Sequence, residues 1–405
     1  MPDVAPSPVR VSCDRADAMY RVGETVSFLA EKAGENPPDE VTVTVTWNGD
    51  AVVHTEQVKI GASPQTITVR AEQPGFLRCR LRWGGSDESS EPPQAAAAVS
   101  PERILPSMPE PEDFDAYWAR QLAAQKDLPL DATVSPHTVH PDGAIHNVRV
   151  PMPDGTAIYG WLLIPHGNGP FPAIARYHGA GVYAIPPENG LDWTARGIMV
   201  FSINPHPIPN DRDREFYVEL RNGGLADYRT RGRENPEQVY FRTMFLRAAR
   251  AVDFLASRPE WDGTHLIAEG HSQGGGQAIA AAALNRKVNG VVISCCTHCD
   301  HTGPAVGRVA GWPKIVNVES GIPDPAHLAT ARYIDAVNFA ARISCPTFWS
   351  MAFLDDLCPP VGNYAALNRL RSSSVTIRHD ISVGHIHTDE CKAATVQWVE
   401  DFVRS

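Results

Sequence analysis

The residues of this chain best suited to chemistry are Gly270-His271-Ser272-Gln273-Gly274, a G-x-S-x-G run. A serine hydroxyl is a weak nucleophile, so it attacks a carbonyl only where a base takes its proton and an acid orients that base. The run follows the apolar residues Leu266, Ile267 and Ala268 and precedes an Ala-rich segment over 277–284. Strand, sharp turn and helix are the context that makes such a run a nucleophile elbow. Small residues at 270 and 274 let the strand and the helix approach closely. The alternative is a serine that merely caps a structural helix.

The chain downstream of the elbow supplies candidates for the other two roles. Asp355 and Asp356 follow the apolar run 347–354, and His385 follows Gly384 by a short loop after the run 375–378. Consecutive side chains leaving a strand diverge, so only one of the two carboxylates meets a given histidine. His385 is the preferred base, with His387 second; His379 sits at the strand end itself. A tetrahedral oxyanion needs backbone donors, and the N–H of Gln273 is one. The second is expected from Tyr177-His178-Gly179-Ala180-Gly181, which has the composition of an oxyanion loop and offers the N–H of Ala180. Its alternative is a plain glycine-rich turn. A rival constellation is the run Cys295, Cys296, His298, Cys299 and His301, dense in zinc-ligand types. It lacks the paired spacing of structural zinc sites, and adjacent cysteines point apart in an extended chain, so pocket lining or buried thiols is the preferred reading.

These residues need elements to hold them. From about residue 140 onward, apolar runs at 146–150, 157–164, 173–177, 198–203, 266–269, 290–294, 347–352 and 375–378 read as strands. They alternate with helical patterns, the signature of a mostly parallel sheet flanked by helices. A long helix is expected from Asn235-Pro236 to about Ser257, with an Asn cap and Pro at the first position. An amphipathic helix over 112–126 carries Phe114, Tyr117, Trp118 and Leu122 on one face. With the elbow and the order serine, acid, histidine, the pattern predicts an α/β-hydrolase fold. The first hundred residues differ. They alternate apolar and polar at 41–47, 65–71 and 76–83 between turn signals, with Asn48-Gly49 a strong hairpin signal. That predicts a small immunoglobulin-like β-sandwich over 8–85. The Pro- and Ala-rich stretch 86–100 reads as a linker, and 101–405 as the catalytic domain.

Composition removes several function classes. The 405 residues carry a formal net charge of -11, which argues against nucleic-acid partners. The basic stretch 221–233 is interrupted by Asp227 and reads as a salt-bridged loop. No run approaches the about twenty apolar residues of a membrane span. The N-terminal residues lack the basic start and apolar stretch of a signal peptide, so a cytoplasmic location is expected, or a secreted one if a leader has been removed. Eight cysteines in a chain this long do not form a disulfide scaffold. A bridge between Cys13 and Cys79 on facing strands is the one pairing left open.

On these residues the chain resembles the acetyl xylan esterases and cephalosporin C deacetylases of carbohydrate esterase family 7. The resemblance runs from about Pro111 to the end. It is carried by PEDFDAYW (111–118), His178-Gly179, GHSQGG (270–275), YIDAVNFAARISCP (333–346), DDLCPP (355–360) and Gly384-His385. It implies Ser272 as nucleophile, His385 as base and, through the proline-pair register, Asp355 as acid. It also implies a serine esterase that removes acetyl groups from carbohydrate-like esters, needing no cofactor or metal, and a homo-oligomer. The chain departs from the family in having Ala180 where a tyrosine is usual. Asn204-Pro205-His206-Pro207 stands in place of an Arg-Gly-Gln-Gly-like turn, and the sandwich is an addition. These departures bear on pocket shape, substrate and assembly. Two other classes compete: a serine peptidase of prolyl oligopeptidase type, and a non-catalytic binding protein on a hydrolase fold.

Overall fold

A computed structural model describes residues 7–86 and 90–405. Residues 1–6, part of the stretch read for a leader, and 87–89 of the expected linker lie outside the described residues.

Among the described residues, the N-terminal region packs a three-stranded sheet against a five-stranded one. The first holds Val9–Cys13, Thr25–Lys32 and Gln65–Arg70, all antiparallel. The second has the order Met19–Tyr20, Gln94–Val99, Gly75–Arg82, Glu40–Trp47, Ala51–Lys59. Inward residues of alternating strands, among them Phe28, Val43, Val45, Cys79 and Leu81, make its own core. The hairpin expected at Asn48-Gly49 is present, with Trp47 paired to Ala51 and positive φ at Asn48 (49°) and Gly49 (119°). All eight cysteines are free; the Cys13 thiol donates to the Ala96 carbonyl rather than bonding to Cys79.

The expected linker over 86–100 needs correction. Residues Gln94–Val99 form a fully paired strand, and the sandwich extends to Val99. The reason lies in its two faces: Ala95, Ala97 and Val99 enter the sandwich core, while Ala96 and Ala98 enter the core of the following domain. A strand pressed between two cores needs small apolar residues on both faces. A run of alanines is what results, and it imitates a flexible segment in composition.

The second region is an α/β-hydrolase fold. Its nine-stranded sheet, counted over the described residues, has the order Val375–Asp380, Thr347–Ala352, Gly290–Ser294, Trp261–His271, Phe171–Tyr177, Met199–Ile203, Ala157–Ile164, Gly143–Pro151, Thr133–His140. The first six are mutually parallel and the last three antiparallel. Helices cover both faces. Tyr240–Ala256 and Gln273–Leu284 bury one side, and Leu191–Thr194 with Asp389–Val403 the other. Strands buried on both faces read as continuous apolar runs, which is why 290–294 and 347–352 were legible to the residue. Thr133–His140 was not: it is an edge strand, mostly exposed, with Pro136 inside it.

The long helix begins at Tyr240, four residues later than the cap signal placed it. Asn235 does cap a turn, accepting from Glu237 N at 2.9 Å. Val239 then adopts an extended ψ of 127° to bury its side chain, and this interrupts the helix. Among the described residues no helix is long and apolar enough to cross a membrane.

Candidate active site

Ser272 ends the strand Trp261–His271 and begins the helix Gln273–Leu284, with φ 58° and ψ -123°. A non-glycine residue there is strained, and the two elements that meet at it hold the strain. The glycines are required by the close approach: a Cβ at Gly270 would fall 2.1 Å from the Gly274 carbonyl carbon, and one at Gly274 2.2 Å from the Tyr177 oxygen. The effect is to lift the serine hydroxyl clear of the sheet's C-terminal edge.

His385 lies in the loop between the last strand and the last helix, and Asp355 in the turn after Thr347–Ala352. His385 Nε2 is 2.9 Å from Ser272 Oγ, and its Nδ1 is 2.7 Å from Asp355 Oδ2. The Asp355 side chain is fully buried, and its other oxygen accepts from Leu357 N at 2.9 Å and Cys358 N at 2.7 Å. A buried carboxylate is tolerable only when its lone pairs are satisfied, and here three donors satisfy it. With Nδ1–H donated to the carboxylate, the free lone pair of Nε2 faces the serine.

The competing residues sit elsewhere. Asp356 is 64% exposed on its side chain and pairs with Arg78 and Arg80. His379 Nε2 meets Tyr364 Oη at 2.7 Å, behind the acid turn. His387 stacks on His271 with centroids 5.8 Å apart and an interplanar angle of 6°. Burial holds both of these imidazoles below the ordinary histidine range, His271 at about 4.

Gln273 is the first residue of the elbow helix, so its N–H is among the helix's free donors. The loop carrying Ala180 passes beside the nucleophile: a Cβ on Gly179 would lie 4.0 Å from Ser272 Cβ. It is braced from three directions. Tyr183 Oη donates to Gly179 O, Gly181 N donates to Tyr228 Oη at 3.2 Å, and His206 Nε2 meets Gly181 O at 3.1 Å. Because a carbonyl can only accept, His206 carries its proton on Nε2 and takes the Tyr240 hydroxyl on Nδ1 at 2.7 Å. Burial keeps it neutral, at about 3. In the sequence His206 stands out only as part of a departure from a family turn. Nothing local in Asn-Pro-His-Pro says that its imidazole braces a loop twenty-five residues away.

The Cys295–His301 run does not converge on one point. Cys295 Sγ lies on the triad side, within 4.8 Å of ligand atoms of Asp355 and His385. The thiols of Cys296 and Cys299 are directed to the Thr297 carbonyl, and His298 Nδ1 meets His301 Nε2 at 3.0 Å against Phe241, Phe245 and Trp312. Burial pushes the Cys295 thiol up to about 12 and His301 down to about 3, so both stay uncharged.

Comparison with known proteins finds similar esterases. Residues 102–402 match the family model described as acetyl xylan esterase (AXE1). The acetyl esterase Axe7A of Xylanibacter ruminicola is 25% identical over 399 residues, covering 96% of this chain and 90% of that protein. Among solved structures, an acetyl xylan esterase from Paenibacillus sp. R4 superposes with a TM-score of 0.64 at 26% identity, covering 74% of this chain and 98% of that one. Acetyl xylan esterase 1 from Thermoanaerobacterium sp. JW/SL YS485 gives 0.63 at 22% identity, covering 73% and 96%, a likeness of fold.

Proposed function

The chain belongs to the acetyl xylan esterase family, and from that premise we propose that Ser272, His385 and Asp355 are the triad with which it deacetylates carbohydrates. The protein is a carboxylic ester hydrolase of the serine type, and its substrates are acetylated carbohydrate esters. The family match favours this over a serine peptidase or a non-catalytic binding protein.

The single observation that carries the residue assignment is the chain of two hydrogen bonds through His385, 2.9 Å to Ser272 and 2.7 Å to Asp355. Ser272 Oγ attacks the acetyl carbonyl carbon while His385 Nε2 takes the hydroxyl proton. The carbonyl oxygen becomes an oxyanion, for which the N–H groups of Gln273 and Ala180 are the proposed donors. The bond from the carbonyl carbon to the sugar oxygen breaks, and the imidazolium returns its proton to that oxygen. Water then repeats the sequence on the acetyl-serine: His385 takes its proton, acetate leaves and the serine hydroxyl is restored. Asp355 keeps the imidazole in the tautomer that can accept from Ser272 throughout. The proposed organisation is a sandwich that ends at Val99 joined to a catalytic domain from Pro101 onward.

The test is Ser272→Ala, assayed on acetylated sugars, simple acyl esters and peptide amides side by side. Turnover of acetyl esters should fall by several orders of magnitude with folding intact, about 10⁴-fold or more. A serine-directed organophosphate should label Ser272 in the parent protein. Near-full activity in the Ala variant would falsify the assignment.

A further inference from the structure

The strand Gly75–Arg82 reads FLRCRLR after its glycine, with alternate residues on opposite faces. Leu77, Cys79 and Leu81 enter the sandwich core. The other face, Phe76, Arg78 and Arg80, meets the catalytic domain rather than solvent. Phe76 packs edge-on against Phe353, ring centroids 5.2 Å apart. Arg78 has only 8% of its side chain exposed; its guanidinium pairs with Asp356 and donates to the carbonyls of Phe353 at 3.3 Å and Asp355 at 3.4 Å. Arg80 lies 3.6 Å from the same Asp356 carboxylate. Nearby, the Asn48 carbonyl of the hairpin accepts from Val309 N.

Apart from Val309, every one of these partners belongs to the turn 353–356. Asp355 is held twice. Its side chain is fixed by Leu357 N and Cys358 N within its own turn, and its main-chain oxygen is held by an arginine from the other domain. A buried guanidinium is costly unless charge and hydrogen bonds compensate it, and a strand face turned to a partner domain could have carried an apolar residue instead. We propose that Arg78 is a positioning residue for the catalytic acid, so that the N-terminal sandwich is a working part of the active site and not an appended module. Arg78 touches no substrate atom in this reading. It fixes the backbone from which Asp355 reaches His385, and a carboxylate displaced by an ångström or less would leave the imidazole misaligned to Ser272. The proposal rests on Asp355 being the triad acid.

The experiment is a double-mutant cycle between Arg78→Met and Asp355→Asn, with kcat and KM measured on one acetyl ester and the melting temperature measured for each variant. Methionine keeps the length and apolar stem but neither charge nor donors. Arg78→Met should lower kcat by about 10- to 100-fold with KM changed less than about twofold. Arg78→Lys, which keeps the charge, should recover part of that loss. In the Asp355→Asn background, Arg78→Met should lower kcat no further, because the residue through which it acts is already disabled. Should Arg78→Met fail to fold, Asp356→Asn takes its place in the cycle, with a smaller loss of kcat and the same absence of further effect. An inactive Asp355→Asn beside an Arg78→Met with parental kcat overturns this proposal alone, as does a loss that multiplies in full in the double variant. An Asp355→Asn that retains parental activity overturns the triad assignment and this proposal together.

Discussion

Replacing Asp355 by asparagine exchanges one oxygen for an NH₂ group at almost the same volume, and the surroundings of the carboxylate dictate the outcome. One oxygen accepts from Leu357 N and Cys358 N at 2.9 and 2.7 Å, the other faces His385 Nδ1 at 2.7 Å. An asparagine there must turn its oxygen to the two backbone donors. The opposite orientation sets an amide NH₂ against two N–H groups and forfeits two hydrogen bonds, about 1–3 kcal/mol each. The amide NH₂ therefore points at His385 and donates to Nδ1. The imidazole responds by carrying its proton on Nε2, where it can no longer accept from Ser272. A base locked in the wrong tautomer costs about 10⁴-fold in kcat, or about 5 kcal/mol of transition-state stabilisation, with little change in KM. The assay is steady-state hydrolysis of a chromogenic acetyl ester by Asp355→Asn and Asp356→Asn, with circular dichroism to establish folding. Asp356, exposed and paired with arginines, should show a far smaller loss. A kcat for Asp355→Asn within tenfold of the parent, or a larger loss in Asp356→Asn, refutes the reasoning.

His385→Ala should be as severe as the serine change while His387→Ala retains most activity, since the His387 ring lies on His271 and makes no bond to Ser272; kinetics on the two variants distinguish them, and inactivity of the second alone would move the base by two residues. Acyl length is the next test. Each methylene that fits adds about 0.8 kcal/mol of apolar transfer, so kcat/KM rises with chain length unless a wall stops it. A deacetylase should show a fall beyond propionyl across acetyl, propionyl, butyryl and octanoyl esters of one alcohol, and a rise to octanoyl would contradict a narrow acyl site next to Ala180. Stability should fall on mild acidification. His178, His206 and His301 are each held at about 3, chiefly by burial. Their neutral native forms favour folding above the unfolded value of about 6.5, and that stability is lost progressively as pH drops toward 3, about 2 kcal/mol apiece by pH 5. Thermal melts at pH 7, 6 and 5 should shift steadily downward, and His178→Gln should flatten the slope; a midpoint independent of pH over that interval would show that these rings are not buried neutral.

By itself the sequence determined the local geometry. Runs buried on both faces, such as Gly290–Ser294 and Thr347–Ala352, announce themselves by continuous hydrophobicity, and the elbow by two glycines whose Cβ atoms would collide with neighbouring backbone. Motif and chain order pointed to Ser272, His385 and one of two adjacent aspartates; the register of a proline pair, known through resemblance, chose between the last two. What the tertiary structure alone decided are relations between segments remote in the chain. Arg78 reads in the sequence as one outward charge on an alternating strand, and only docking sets that face against residues 353–356. The alanines of Gln94–Val99 read as a tether because composition counts side chains without saying how many cores surround them. His206 braces the Gly181 carbonyl, and His298 lies against Phe241 and Trp312, through contacts that folding creates. Periodicity reports whether a residue is buried. What it is buried against depends on how the chain returns upon itself.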